Sequence, residues 1–342
     1  MSMTFYSNLR SAERPFIIAE AADAHYGSIQ RAMQMVDASA AAGADAIKFQ
    51  HHLPDEEMLP SIPTSQNMKE PLYEFLKRNA LTLSQHIVLF DYCKSKGIQY
   101  LCTPFSLQAA IELEENFDLP VYKIGSGEMT DLPTLERVSR FGKPMIVSTG
   151  MSEVHEIQRT YEFLIERNVE LILMNCTSAY PPSYADLHLG FIPVMEQLFP
   201  KAIIGHSDHT NEIYSSIVAI AFGAKLIEKH VTIDNNLEGP DAEVSLTFPQ
   251  LATLIEVSRK ISGALSSEKF IHESEREIIA WARRSIVYKS DFSSGHVLTE
   301  SDIWGKRPGT GVPSSNYWSL IGRKLKRDVA YNTLLTMADL ED

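Results

Sequence analysis

The feature that most constrains the fold of this chain is a repeated alternation of short apolar runs with longer segments of helical periodicity. Eight runs have the length of a β-strand, and most are apolar at successive positions, which is typical of parallel strands buried on both faces. They lie at residues 16–20, 46–50, 98–103, 121–126, 144–149, 171–177, 202–207 and 225–231. Because a (β/α)8 TIM barrel takes about 250 residues, the alternation predicts this α/β fold, with a doubly wound open sheet as the alternative.

The sequence changes character after the eighth run, which predicts a second domain. Residues 265–284 are rich in charged side chains and predict a linker helix. Residues 285–342 combine short β-like runs with turn residues and contain no long helical pattern. We therefore predict a TIM barrel catalytic domain over 1–264, a linker, and a small β-rich domain at the C-terminus.

The composition narrows the class of partner and the compartment. The chain carries 31 Lys and Arg against 44 Asp and Glu, a formal charge of −13, which argues against a nucleic-acid or anionic-membrane surface. Residues 1–15 lack an apolar run of signal-peptide length, and the sequence has no run long enough to span a membrane. Three cysteines without CxxC spacing predict a reduced, cytoplasmic protein without a disulfide framework.

Polar residues stand at the ends of the predicted strands, where the catalytic groups of a (β/α)8 barrel gather. In chain order they are Glu20, Lys48, Gln50, Thr103, Lys123, Ser126, Glu128, Ser148, Tyr180, Ser207, His209, Glu228, Lys229 and His230. Taken singly, each residue has a structural explanation, such as a salt bridge for a lysine or a helix cap for a serine. Their placement on all the strands together is what indicates a functional site.

These residue types favour a small, multiply charged, phosphorylated substrate that reacts beside a metal. Lysines within apolar strands, here Lys48 and Lys123, are costly to bury unless an anion meets them. Hydroxyls and backbone N–H groups beside them are suitable donors to phosphate and carboxylate oxygens. His209 and His230, on adjacent strands, can hold a divalent metal. Glu128 is a candidate for proton transfer.

At these positions the chain resembles the sialic acid synthase family, enzymes that make nine-carbon nonulosonic acids from phosphoenolpyruvate and an amino-sugar. The resemblance covers nearly the whole length and rests on several long blocks. They are FIIAE, AGADAIKFQ, LCTPFS, YKIGSGEMTDLPTL, GKPMIVSTGM, NCTSAYP, IIGHSDHT, EKHVTID, EGPDAEVSL, RRSIVYKSD and KRPGTG. It implies a TIM barrel followed by an antifreeze-like SAF domain.

The resemblance also implies a role for each matching residue. Phosphoenolpyruvate would be held by Lys48, Thr103, Lys123, Ser126, Ser148 and Ser207. The N-acetylated amino-sugar would be held by Gln50, Asn67, Tyr180, Asp241 and Arg307. Glu128 and Glu20 would be catalytic, and His209 and His230 would bind Mn²⁺ or Mg²⁺. The family's domain-swapped homodimer would make Arg307 act across the subunit interface.

Two positions depart from the family's pattern, and the acceptor sugar stays open. Ala24 stands where the family's first-strand block has Asn, and Ser178 stands where some members place an Asn. The acceptor is N-acetylmannosamine or a 2,4-diacetamido-trideoxyhexose. The alternatives are a related 3-deoxy-aldulosonate synthase that uses a phosphorylated aldose, a metal-dependent hydrolase, and a non-catalytic carbohydrate-binding barrel. The missing first-strand HxH speaks against the hydrolase.

Overall fold

The computed structural model describes residues 4–64, 68–234, 241–265 and 268–341. The chain divides into two compact units, Met1–Leu265 and Ser266–Asp342. The strands of the first unit are β1 (Phe16–Glu20), β2 (Ala46–His51), β3 (Gln99–Pro104), β4 (Tyr122–Ile124), β5 (Met145–Ser148), β6 (Leu171–Cys176), β7 (Ile203–Asp208), β8 (Leu226–Thr232) and the short β9 (Leu246–Thr247). The eight longer runs predicted as strands all form strands.

The strands form a nearly closed parallel barrel. Their order is β3-β2-β1-β8-β7-β6-β5-β4, with β9 paired to β8. The first strand pairs with both the second and the eighth, which joins the start and the end of the βα series. β3 and β4 adjoin at the remaining seam. This topology confirms the predicted barrel and rules out the doubly wound open sheet.

Helices alternate with the strands around the barrel. In the first unit they are α1 (Phe5–Ser11), α2 (Ile29–Ala42), α3 (Pro54–Glu57), α4 (Leu72–Asn79), α5 (Leu83–Lys96), α6 (Leu107–Asn116), α7 (Leu132–Ser139), α8 (Val154–Ile165), α9 (Ile192–Leu198), α10 (Tyr214–Ala221) and α11 (Phe248–Ser262). Local sequence sets their ends. Ser28 accepts a hydrogen bond from the Arg31 N–H at the start of α2, and Gly43 ends that helix with a φ of 86°. Within the described residues no helix is long and apolar enough to cross a membrane.

The inside of the barrel is apolar at one end and polar at the other. An inner cluster of buried apolar residues comes from seven of the eight barrel strands and from Val121, directly before β4, and is completed by Tyr6 and Leu9 of α1. A larger apolar cluster fills the space between the strands and the surrounding helices. Alternate residues of a strand share a face. The residue two positions after an inner apolar residue therefore also points into the barrel, but it lies closer to the carboxyl end of the strand.

The second unit has its own small core. It contains α12 (Glu273–Ala282), β10 (Ser285–Tyr288), β11 (Ile303–Lys306) and α13 (Tyr317–Leu320), with β10 and β11 antiparallel. Its core is formed by Ile286, Tyr288, Leu298, Ile303, Val312, Leu320, Leu325, Leu335 and Leu340. The segment 265–284, for which the sequence predicts a linker helix, contains α12.

Candidate active site

Strand register places the charged residues in one layer inside the barrel. Ile18, Ala46 and Leu226 belong to the inner apolar cluster, and two residues after each of them come Glu20, Lys48 and Glu228. The register pairs Glu20 with Lys48 across β1 and β2, and Ser207 with Glu228 across β7 and β8. Val121 and Ile146 are followed in the same way by Lys123 and Ser148. On each of these strands the inward-facing residues thus change from apolar to polar toward the carboxyl end, which places the polar groups in one layer.

The Lys48 ammonium group lies among three oxygen atoms. Its Nζ is 2.7 Å from Glu20 Oε2 and donates to Thr103 Oγ1 at 2.8 Å. It is also 3.7 Å from Glu228 Oε1. Glu20 accepts a second hydrogen bond from Gln50 Nε2 at 2.7 Å. Lys48, Glu20, Thr103 and Glu228 are all buried, so these charges interact with little screening by solvent.

Glu228 joins the two lysines. Its Oε1 is 3.7 Å from Lys123 Nζ, the same distance as from Lys48 Nζ, and accepts a hydrogen bond from Ser207 at 3.2 Å. Lys123 donates to Ser148 Oγ at 2.8 Å. The other Glu228 oxygen, Oε2, is buried and has no hydrogen-bond partner among the described residues. We refer to Glu20, Lys48, Lys123 and Glu228 as the charge cluster.

Burial and pairing shift the pKa values within the charge cluster in opposite directions. Burial lowers the pKa of Lys123, and the Lys48 charge adds to that effect. Burial alone would lower the pKa of Lys48 too, but Glu20 and Glu228 raise it. Burial opposes ionisation of Glu228, yet the two lysines keep its pKa below the usual value. Burial raises the pKa of Glu20 despite its contact with Lys48.

Glu128 lies on the loop that follows β4. The strand ends at Ile124, earlier than the sequence predicts, because Gly125 and Gly127 lead into a turn closed by the Glu128 N–H donating to the Gly125 carbonyl. Its Oε2 is buried without a hydrogen-bond partner among the described residues, and burial raises its pKa. A Cβ on Gly125 would lie 2.4 Å from that oxygen, whereas one on Gly127 would meet nothing within 4 Å. Gly125 therefore makes room for the Glu128 carboxyl group.

Two imidazoles lie together at the ends of β7 and β8. The ring centroids of His209 and His230 are 5.2 Å apart, and Tyr180 stacks on His209 at 4.3 Å. The Nδ1 of His209 donates to the Thr177 carbonyl at 2.8 Å, and its Nε2 is 3.2 Å from the Tyr180 hydroxyl. The Nδ1 of His230 is 3.8 Å from Asp241 Oδ1. The structure therefore brings His209, His230, Tyr180 and Asp241 together.

The pKa values of these groups also depart from their usual range. Burial would lower the pKa of His209, but Cys176 and the Thr177 carbonyl raise it to about 9. Burial, reinforced by His209, lowers the pKa of His230 well below its ordinary value. Burial and the nearby carboxylates of Asp23 and Glu20 raise the pKa of Asp241 to about 7.

The two imidazoles fit part of the ligand shell of a divalent cation. His230 Nδ1 is buried and has no hydrogen-bond partner within the part of the chain that the structure describes. Because Nδ1 of His209 donates to the Thr177 carbonyl, Nε2 is the ring nitrogen left for a cation. The raised pKa of His209 favours a protonated ring, and a bound cation would replace the proton on Nε2. Across the described ranges no group of three or more His, Cys, Asp or Glu could hold a metal. The donor set therefore requires water or substrate oxygens to complete the shell.

A second buried network fixes the backbone on either side of His209. Lys229 Nζ is 3.1 Å from Asp208 Oδ2 and also donates to the carbonyl and hydroxyl of Thr210, the latter at 2.9 Å. Asp208 Oδ2 accepts further hydrogen bonds from Ser215 at 2.5 Å and from Ser216 at 2.6 Å. Both charged side chains are completely buried. Because Asp208 and Thr210 flank His209, and Lys229 precedes His230, this network holds both imidazoles in place.

The predicted site residues that remain are Ser126, Asn67 and Arg307. Ser126 accepts a hydrogen bond from the Gly150 N–H at 3.1 Å and lies 3.7 Å from Cys176 Sγ. Asn67 lies outside the described residues. Arg307 belongs to the second unit, where its guanidinium group lies 4.7 Å above the Trp281 ring and its Nε donates to the Ala282 carbonyl at 3.1 Å.

Glu228 has no role in the sequence-based assignment, although its carboxylate lies between the two lysines of the charge cluster. The available signal was its position two residues before His230 on the same strand, which places both side chains on the interior face. The same alternation puts Lys229 on the opposite face, away from the barrel interior.

Comparison with known proteins identifies the family. Residues 35–270 match the NeuB family and residues 283–341 match the SAF domain. The chain belongs to the NeuB family. It is 32% identical over 322 residues to the N,N'-diacetyllegionaminic acid synthase of Campylobacter jejuni, which covers 91% of this chain and 96% of that protein. It is 31% identical over 339 residues to a pseudaminic acid synthase of C. jejuni, which covers 97% and 98%.

A solved structure agrees with this assignment to the NeuB family. N-acetylneuraminic acid synthetase from Leptospira borgpetersenii, in complex with citrate, has a TM-score of 0.71 and 30% identity, covering 78% of this chain and 91% of that one. The predicted SAF domain is confirmed. As a NeuB family member the chain is an enzyme, which excludes the non-catalytic carbohydrate-binding barrel.

Proposed function

We propose that this protein condenses phosphoenolpyruvate with the open-chain form of an N-acetylated hexosamine, releasing inorganic phosphate and forming a nonulosonic acid. The observation that carries the proposal is the charge cluster, in which two buried ammonium groups lie 3.7 Å from one carboxylate oxygen. Lys48 is also paired with Glu20 at 2.7 Å, whereas the Lys123 ammonium group has no carboxylate closer than Glu228 among the described residues, so an anion beside Lys123 would offset the cost of burying it. The relatives that synthesise legionaminic and pseudaminic acids support the same reaction class.

The charge cluster offers phosphoenolpyruvate both charge and directed hydrogen bonds. Lys48 and Lys123 supply the ammonium groups, while hydroxyl groups surround them. Those hydroxyls belong to Thr103, Ser148 and Ser207, with Ser126 on the neighbouring loop. In a water-excluded interior such fixed donors stabilise charge that develops on the reacting oxygens. An anion beside Lys123 also favours its protonated form, against the effect of burial.

The reaction has three bond changes. C3 of phosphoenolpyruvate attacks the aldehyde carbon of the sugar, and positive charge develops at C2. A water adds to C2 and gives up one proton, while the former aldehyde oxygen takes up one proton and becomes a hydroxyl group. The tetrahedral species then expels phosphate with cleavage of the C–O bond, and its C2 hydroxyl proton leaves with the phosphate as the ketone forms. Glu128 is the acid–base group in this proposal, because its buried carboxyl has an unpartnered oxygen and a raised pKa. In enzymes generally, holding two reactants in line can supply up to about 7–11 kcal/mol of the reduction in the barrier.

The metal and the sugar lie beside this cluster in the proposal. His209 and His230 would hold Mn²⁺ or Mg²⁺, which when bound supplies a Lewis acid for the sugar carbonyl oxygen. Glu20 provides a second carboxylate close to Lys48. The sugar contacts are assigned to Gln50, Tyr180, Asp241, Asn67 and Arg307. The domain-swapped homodimer in which Arg307 reaches a second subunit stays a prediction, and sedimentation equilibrium of the full chain tests its stoichiometry.

The experiment that tests the function combines phosphoenolpyruvate and Mn²⁺ with a panel of acceptors. The panel contains N-acetylmannosamine, 2,4-diacetamido-trideoxyhexoses, and phosphorylated aldoses. We expect phosphate release and a nine-carbon product, detected by mass spectrometry, with at least one unphosphorylated N-acetylated sugar. Turnover with a phosphorylated aldose alone would assign the protein to the 3-deoxy-aldulosonate synthases, and the absence of turnover with every sugar would contradict the proposal.

A further inference from the structure

A chain of hydrogen bonds leads from the charge cluster to the short helix α3. Gln50 Nε2 donates to Glu20 Oε1 at 2.7 Å, and Gln50 Oε1 lies 2.9 Å from His52 Nε2. The other ring nitrogen of His52, Nδ1, lies 2.8 Å from Glu57 Oε2. Glu57, His52, Gln50 and Glu20 thus form an unbroken series that ends at Lys48.

The direction of the donors determines the charge of His52. Glu20 lies 2.7 Å from Lys48 Nζ and faces Gln50 with an oxygen, so the Gln50 amide presents its NH₂ group to Glu20 and its carbonyl oxygen to His52. An amide oxygen accepts hydrogen bonds, and so does the Glu57 carboxylate. Both ring nitrogens of His52 must therefore carry hydrogen, which makes the ring an imidazolium.

His52 is enclosed by other groups. The side chain is 5% exposed, and the Phe105 ring stacks on it at 4.3 Å with an interplanar angle of 18°. Burial alone would lower the pKa of His52, but Glu57, Asp23 and Glu128 raise it. The titratable groups that interact with it are Glu57, Asp23, Glu128, Asp241, His25, His51 and His86.

We infer that His52 is a positioning residue for the acceptor sugar: its imidazolium, anchored by Glu57, fixes the orientation of the Gln50 carboxamide. This inference rests on the proposed function, in which Gln50 contacts the sugar. With His52 charged, the Gln50 amide nitrogen is kept facing Glu20. With His52 neutral, one ring nitrogen presents a lone pair to Gln50 Oε1 or to Glu57, and the amide loses the contact that prevents it from flipping.

The inference has a defined pH dependence. Because the contacts raise the pKa of His52, the imidazolium is present below that pKa and is lost as the pH rises through it. The kcat/KM for the sugar is therefore expected to fall on the alkaline side. Removing the Glu57 charge moves that fall to lower pH.

The first test is Glu57→Gln, which keeps a hydrogen-bonding group of similar size and removes the charge. We expect the KM for the sugar to rise about tenfold, as for the loss of one charged hydrogen bond, while the KM for phosphoenolpyruvate changes less than twofold. The alkaline limb of kcat/KM for the sugar should shift to lower pH. Glu56→Gln is the matched control, because Glu56 is exposed on the same helix and carries the same charge. An equal rise in both KM values, or no shift of the limb, overturns the inference.

The second test does not need activity. Nitrogen-15 NMR of the imidazole rings in the full chain reports whether each ring nitrogen carries hydrogen, and His52→Gln identifies the His52 signals by their loss. We expect both nitrogens of His52 to be protonated near neutral pH, and the half-titration point to fall in Glu57→Gln. A neutral His52 ring near neutral pH overturns the inference. If no sugar is turned over but both ring nitrogens of His52 are protonated, the result contradicts the proposed function and leaves the charged state of His52 beside Gln50 confirmed.

Discussion

Two buried lysine networks meet on β8, and they differ in how completely their polar atoms are paired. Lys229 and Asp208 face away from the barrel interior, and Asp208 Oδ2 contacts Lys229, Ser215 and Ser216. Glu228, which directly precedes Lys229, faces the interior. Its Oε1 lies near both Lys48 and Lys123, and its Oε2 has no hydrogen-bond partner among the described residues.

In the proposed function, this difference separates a structural network from a binding site. A fully paired buried network adds rigidity, whereas an incompletely paired one costs free energy in the absence of a ligand. The Lys229 network therefore stabilises the loop around His209. In the proposed function, an anion binds beside Lys123, whose nearest carboxylate oxygen among the described residues lies 3.7 Å away. The following substitutions test this division, beginning with the largest expected effect.

Lys123→Met tests the charge cluster directly. Removing one of the two ammonium groups should lower kcat/KM for phosphoenolpyruvate by on the order of 1,000-fold, as for the loss of a preorganised group that stabilises the transition state. The free energy of unfolding should change by less than about 1 kcal/mol, because an apolar group replaces a charge that burial disfavours, and Glu228 keeps Lys48 and Ser207. Steady-state kinetics and urea denaturation measure the two effects. A large loss of stability with unchanged kinetics would show that Lys123 stabilises the fold and does not bind phosphoenolpyruvate.

Lys229→Met should lower the stability of the protein more than its activity. It leaves the Asp208 carboxylate buried without its cationic partner, which should cost about 3 kcal/mol in the free energy of unfolding. Urea denaturation followed by circular dichroism measures this loss. The KM for phosphoenolpyruvate should stay close to that of the unmodified enzyme in the folded fraction, because Lys229 lies on the other face of the strand. A stability equal to that of the unmodified protein would contradict the structural role.

Gly125→Ala tests whether the position of Glu128 matters within the same site. The added methyl group would lie 2.4 Å from Glu128 Oε2, and the end of that flexible side chain must move. We expect kcat to fall by about 100-fold with little loss of stability, because a displaced acid–base group transfers protons poorly. Gly127→Ala is the matched control in the same loop, where a Cβ meets nothing within 4 Å. Equal activities of the two variants, measured as phosphate release, would argue against a role for Glu128.

Ser148→Ala and Ser216→Ala give the smallest effects and sharpen the comparison. Each removes one hydroxyl group, from the contact with Lys123 and from the contact with Asp208 respectively. Ser148→Ala should lower kcat/KM for phosphoenolpyruvate by about tenfold, and Ser216→Ala should lower the free energy of unfolding by about 1 kcal/mol. The same kinetics and denaturation experiments on both variants show whether the effects separate. Effects of the same kind in both variants would mean that the two networks act as one.

Local pattern was sufficient to predict the barrel. Successive apolar residues at strand length are a local property, and eight such runs with helices between them leave few ways to bury both faces of each strand. Two differences are the short strand β9, which the sequence pattern does not predict, and β4, which ends at Ile124 because Gly125 and Gly127 form the turn that carries Glu128. A run of apolar letters does not show where backbone hydrogen bonding stops.

The site was predicted in part. Strand-end positions identified Lys48, Lys123, Thr103, Ser148 and Ser207, and the structure brings these groups together around one carboxylate. Their roles, and those of the metal and sugar residues, stay predictions that the experiments above test. The sequence pattern does not single out His52 and Glu57, because the role inferred for them depends on contacts through Gln50, which no spacing in the sequence reveals.

By itself, the sequence determined the element order, the barrel, the family and the set of polar residues at the strand ends, because each follows from spacing or from matching blocks. Only the tertiary structure decided which buried lysine belongs to which network. Lys229 and Lys48 look alike as lysines within apolar strands, but a side chain's face and its partners from distant segments, such as Ser215 or Glu20, depend on strand register. Register is a property of the closed sheet, in which residues far apart in the chain become neighbours.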